Sequence, residues 1–313
     1  MSTSFSIVFP GQGSQSVGML AELAAAHPLV RQTFEEASQA VGVDLWKMSQ
    51  EGSEEELNRT RHTQPAMLAA GVAVWRVWSG QGGPTPAVTA GHSLGEYSAL
   101  VAAGALEFAA AAQLVARRGE FMQEAVPAGA GAMAAVLGLD DEAVIELCAR
   151  AAQGAVVEAV NFNSPGQVVI AGDSAAVERA VALAKEAGAK RALLLPVSVP
   201  SHCALMRPAA ERLAGELDGV ELAAPRLPVL HNVDVAEAAD AAAIRDKLTR
   251  QLYSPVRWVE TVREIAGRGV GLVIEAGPGK VLTGLSKRID KRLEAVAVFD
   301  PAGLEKALEA IHD

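Results

Sequence analysis

The chain has 313 residues, with 27 Lys and Arg against 37 Asp and Glu, a formal charge of −10. That balance argues against a general binder of nucleic acid or anionic membranes. Half the residues are hydrophobic and only 4% aromatic, so small aliphatic side chains must fill a core sized for two domains or one large domain with an insertion.

The apolar run 5–9 reads as a buried strand that ends in PGQGSQ. Helical periodicity follows over about 17–26, 29–41 and 64–78. PAVTAG, residues 86–91, reads as a second buried strand, followed by a helix and then another over about 107–125. Strands alternating with helices predict a parallel α/β sheet.

The middle of the chain changes pattern. Residues 131–139 read as a strand, 140–152 as a helix capped by Asp140, and 155–162 and 167–172 as strands joined by the turn NSPG. A helix follows, with Ser174 expected at its cap, and then a strand over 190–198. The order β-α-β-β-α-β is the ferredoxin-like unit. It is expected as a small subdomain, 128–198, inserted between two portions, 1–127 and 199–313, of a larger α/β domain. GLVIEAGPG, residues 271–279, is the clearest late strand.

Residues 91–95 read Gly-His-Ser-Leu-Gly, a G-x-S-x-G nucleophile elbow between a strand and a helix. The glycines let strand and helix meet at a sharp turn that makes the Ser93 hydroxyl protrude. The N–H of Leu94, at the helix N-terminus, points to the same spot and can hold an oxyanion. A serine nucleophile needs a base. His202 follows a strand that breaks at Pro200, and His231 in PVLHNVD stands in a comparable place, so position alone leaves both open. His92 abuts the serine, but a neighbouring side chain is expected to point away.

Arg117 and Arg118 lie on the helix after the elbow. At about 100° per residue, Ala111, Leu114, Val115, Phe121 and Met122 cluster around Arg118, so its guanidinium is expected to face inward. It then serves either a buried ion pair or a clamp on a substrate carboxylate. Arg117 shares its side with Gln113, Glu120 and Glu124 and is expected in water.

The two cysteines, Cys148 and Cys203, give no disulfide framework, and no metal-type spacing is present, so no metal is expected. The start has no basic n-region or long apolar h-region, and no run is long enough to span a bilayer, which points to the cytoplasm.

Taken together, FPGQGSQSVGM, TQPAM, GHSLGEYSALVAAGAL, RGEFMQEAVP, VNFNSPGQVVIAG, VPSHCALM, QLYSPVRW and EAGPGKVLTGL, in that order, resemble the malonyl-CoA:acyl carrier protein transacylases and the related acyltransferase domains of polyketide synthases. The resemblance implies an α/β-hydrolase-like large domain with a ferredoxin-like insertion. It implies transfer of a malonyl group from malonyl-CoA to the phosphopantetheine thiol of acyl carrier protein through a malonyl-serine. It further implies that Ser93 is the nucleophile, His202 the base and Arg118 the carboxylate clamp. By the same resemblance, the Gln12 N–H joins that of Leu94 in the oxyanion hole, the Gln251 carbonyl orients the histidine, and Gln64 lines the site. No cofactor is expected beyond the substrates, and a monomer is expected. Carrier proteins are acidic, so docking is expected at Lys190 and Arg191 or in SKRIDKR, at Lys287 and Arg288. The alternatives are a serine thioesterase or esterase, which shares the elbow but not the inward arginine, and a non-catalytic acyl-CoA or carrier-protein binding module.

Overall fold

Nine strands occur in the computed structural model, which describes residues 3–197 and 199–312: β1 (Phe5–Phe9), β2 (Val88–Gly91), β3 (Gly131–Leu137), β4 (Val157–Ser164), β5 (Gln167–Asp173), β6 (Arg191–Leu194), β7 (Val229–Leu230), β8 (Leu272–Ala276) and β9 (Glu294–Val298). One sheet is parallel, in the order β7-β2-β1-β8-β9. Every residue of β1, β2 and β8 is buried, which is why these strands read as continuous apolar runs rather than alternating ones. Helices on both faces supply the cover, among them Thr60–Gly80, whose inward side chains include Met67, Leu68, Val74 and Trp78.

The second sheet is antiparallel, in the order β4-β5-β3-β6. The helices Asp141–Ala152 and Ser174–Glu186 pack on one face of it, around Val136, Val144, Leu147, Val168, Ile170 and Val177. The chain is therefore an α/β fold with a ferredoxin-like second sheet. The other face of that sheet presents Met133, Val160, Val169 and Ala171 to Cys203 of the larger part. β4 is tied to the larger part by Phe162 N–H to the Val256 carbonyl at 3.0 Å and Val256 N–H to the Val160 carbonyl at 2.8 Å. That join holds the small sheet as a roof over the ends of β1 and β2.

Several element ends differ from expectation for local reasons. The helix expected over 17–26 starts at Ala21, because Gly18 and Leu20 have φ of 83° and 60°. The helix expected from residue 64 begins at Thr60, since Pro65 sits inside it instead of opening it. Asp173, not Ser174, is the cap residue of Ser174–Glu186; Ser174 Oγ donates to the Gly129 carbonyl at 2.8 Å. The strand expected over 190–198 stops at Leu194, two residues before Pro196, which lacks a ladder donor; Ser198 lies outside the described residues.

Candidate active site

β2 ends at Gly91, and the helix Gly95–Ala102 starts four residues later. A Cβ on Gly91 would lie 1.8 Å from the Gly95 carbonyl carbon, and one on Gly95 would lie 2.0 Å from the Phe9 oxygen, so only glycine fits either side of this corner. Ser93 stands at the apex with φ of 51°, a left-handed conformation that the surroundings must enforce. Asn232 does so: its Oδ1 accepts from Ser93 N–H at 2.7 Å and its Nδ2 donates to the Gly91 carbonyl at 2.7 Å.

Ser93 Oγ lies 2.8 Å from His202 Nε2, and His202 Nδ1 lies 2.8 Å from the Gln251 main-chain oxygen. A carbonyl only accepts, so Nδ1 carries the proton and Nε2 offers its lone pair to the serine hydroxyl. Burial, reinforced by the nearby Arg118 charge, pushes His202 down to about 3, which keeps the ring neutral with its Nε2 lone pair unprotonated.

Arg118 is 1% exposed. Its Nη1 donates to Gln64 Oε1 at 2.8 Å, and its Nη2 donates to Gln251 Oε1 at 3.0 Å and to Ser93 Oγ at 3.3 Å. The Tyr97 ring lies 5.6 Å from the guanidinium carbon. Among the described residues, Arg118 has no carboxylate partner and its Nε has no acceptor. Burial lowers its pKa. Arg117, one residue earlier, is 57% exposed and pairs with Glu120 at 3.0 Å.

A cavity of about 450 Å³ opens beside Ser93. Gln12, Leu94, Met122 and Arg118 line it from the large part, and Met133 and Asn161 from the small sheet. Gln12 and Leu94 line the same cavity as Ser93, and among the described residues their main-chain N–H groups have no acceptor.

The structure thus links Ser93, His202, Arg118, Gln64 and Gln251 in one hydrogen-bonded network, Gln64 through Arg118 alone, with Gln12 and Leu94 on the cavity beside it; Gln64 does not line that cavity. His231 is not part of that group: its Nδ1 lies 2.7 Å from Glu96 Oε1, fully buried. His92 lines the cavity, and its ring meets Asn163 Oδ1 through Nε2 at 2.8 Å and lies 5.4 Å from the Trp258 ring. The sequence reading missed Asn232, Glu96 and Asn163. The only sequence clues were their places: Glu96 one turn past Ser93, Asn232 next to His231, and Asn163 inside the NSPG turn.

A family model described as the acyl transferase domain matches residues 6–304. The chain belongs to the acyl transferase domain family. Among curated relatives, the malonyl CoA-acyl carrier protein transacylase of Salmonella typhimurium is 62% identical over 98% of this chain and 99% of its own. That of Bacillus subtilis is 48% identical over 98% and 96%. Among solved structures, a type II PKS acyl-carrier protein in complex with its malonyl-transacylase superposes with a TM-score of 0.97, at 60% identity and 98% and 99% coverage. The malonyl CoA-acyl carrier protein transacylase of Coxiella burnetii gives 0.99 at 50% identity, over 100% and 99%.

In this acyl transferase the basic residues singled out by sequence are all exposed. Lys190 precedes β6, and Arg191 opens it; Lys287 and Arg288 lie in the last turn of the helix Val281–Ile289. Among the described residues none of the four has a carboxylate partner. No helix among them is long and apolar enough to cross a membrane, and no cluster of His, Cys, Asp and Glu could hold a metal.

Proposed function

We propose that this chain transfers the malonyl group of malonyl-CoA to the phosphopantetheine thiol of acyl carrier protein in two steps through a malonyl-Ser93 ester. The observation that carries the reading is a serine–histidine pair at 2.8 Å with a buried arginine, unpaired by any described carboxylate, within 3.3 Å of the same serine oxygen. His202 Nε2 takes the Ser93 proton as Oγ bonds to the thioester carbonyl carbon. The carbonyl oxygen, now an oxyanion, accepts from the N–H groups of Gln12 and Leu94. Collapse breaks the C–S bond, and His202 returns the proton to the departing CoA sulfur. The pantetheine thiol then gives its proton to His202, attacks the ester and restores the Ser93 hydroxyl. Arg118 receives the malonyl carboxylate, with Gln64 and Gln251 fixing its fork, and Gln251 orients His202 through its carbonyl.

The reading needs no resident cofactor and places the reaction in the cytoplasm. It takes 1–127 with 199–313 as the catalytic domain and 128–198 as the roof-forming subdomain.

Selectivity tests the reading directly. An acetyl group leaves the Arg118 guanidinium desolvated and unmatched, which a malonyl group does not. Arg118→Ala is expected to lower kcat/KM for malonyl-CoA by about 10²-fold or more while barely changing that for acetyl-CoA. An undiminished preference for malonyl-CoA in that variant would remove the clamp.

A further inference from the structure

Behind the serine lies a buried carboxylate that the transfer steps above do not use. Glu96 is 0% exposed. Its Oε1 accepts from His231 Nδ1 at 2.7 Å, and its Oε2 accepts from Asn232 N–H and from Gln251 Nε2, both at 2.9 Å. His231 Nε2 has no partner among the described residues. The donors that reach Glu96 are the His231 ring, the Asn232 N–H and the Gln251 amide; among the described residues no Lys or Arg bonds to it.

The route from that charge to the nearest buried cation is one side chain long. Gln251 Nε2 donates to Glu96, while Gln251 Oε1 accepts from Arg118 Nη2. Tyr97, the other titratable group against the guanidinium, is pushed up by burial to about 12 and stays neutral. We propose that Glu96 is the counter-charge of Arg118, held one glutamine away so that the arginine stays charged without being consumed in a salt bridge. A carboxylate bonded directly to Arg118 would occupy the fork that a substrate anion needs. Spaced by Gln251, the same charge lowers the cost of burying Arg118 and leaves Nε without an acceptor. It also repels the anion that Arg118 receives. Glu96 is thus a positioning and tuning residue: it weakens the hold on malonyl and keeps the malonyl-enzyme from becoming a trap.

This proposal rests on the malonyl-transfer reading, and the sign of one effect tests it. Glu96→Gln is nearly isosteric. Its Oε1 can accept from Asn232 and Gln251, but its Nε2 can donate to His231 Nδ1 only if that ring moves its proton to the unpartnered Nε2, a stability cost that bears on both ligands alike. The dissociation constants of malonyl-CoA and acetyl-CoA are measured for Ser93→Ala, which cannot be acylated, and for Ser93→Ala/Glu96→Gln. Removing a like charge two hydrogen bonds away should tighten malonyl-CoA by roughly fivefold and leave acetyl-CoA within about twofold. Parallel weakening of both ligands, the mark of a merely structural role, would overturn the proposal, as would an unchanged malonyl-CoA constant. If Ser93→Ala alone fails to prefer malonyl-CoA, the functional reading falls and the proposal with it. Where Glu96→Gln is too unstable to purify, Arg118→Gln/Glu96→Gln should recover folding, because both charges of the pair are gone. A double variant that melts no higher than the Glu96→Gln single would overturn the pairing.

Discussion

His202 shows how far one side chain's surroundings decide its chemistry. Its lowered pKa means that the neutral, base-competent ring persists in the folded protein until the pH falls toward about 3. A histidine at its ordinary value near 6.5 would lose about 25-fold in neutral fraction between pH 7 and pH 5. We expect kcat/KM for malonyl-CoA to show no such loss across that interval; a limb centred near 6.5 would mean that the ring is not buried as described. Stability, unlike the ring's protonation in the fold, does change across that interval. The unfolded chain binds this proton below about 6.5 and the fold does not. Below that pH the histidine therefore destabilises the protein progressively, and the rates must be read where it is still folded. At this scale the elbow was legible because its chemistry is local: two glycines and a serine in five residues. The choice between His202 and His231 was not. Both follow strand ends, and only the fold shows that one ring meets Ser93 and the other meets Glu96, 135 residues away in sequence.

Secondary-structure elements were legible where apolar periodicity is strong and the caps are local. The helix Leu29–Val41 coincides with its expected span, and Asp140 caps Asp141–Ala152 by accepting from Ala143 N–H at 2.8 Å. Elements were misjudged where backbone sterics override pattern, as at Leu20, whose φ of 60° no periodicity reveals. The proposed docking surface belongs to this scale. Leu137 on β3 pairs with both Gln167 on β5 and Arg191 on β6, and Arg288 Nη1 donates to Gln167 Oε1 at 3.1 Å. Gln167 and Arg191 are thus two strand spacings, about 10 Å, apart, and Lys190–Arg191 and Lys287–Arg288, far apart in sequence, flank one end of the small sheet. Neither pair alone shows this in the sequence. Reversing Lys287 and Arg288 to Glu is expected to raise the carrier-protein KM several-fold at low salt, with the effect fading as ionic strength rises. A KM that does not move would take this surface out of docking.

On the scale of the molecule, the parallel sheet brings the ends of β1 and β2 together, and the antiparallel sheet closes over them. The reacting groups come from the elbow, from the helix that holds Arg118 and from the loop that holds His202, so no single element contains the site. The fold class followed from the alternation of strands and helices. The cavity did not, because it forms where two sheets meet and neither pattern encodes the contact. The proposed intermediate is a covalent malonyl-serine at this junction, and the intact mass of the protein after mixing with malonyl-CoA, without carrier protein, reads it out. A malonyl adduct that is absent with acetyl-CoA and absent in Ser93→Ala is the predicted result; free malonate and CoA accumulating with no adduct would contradict it and point to a thioesterase.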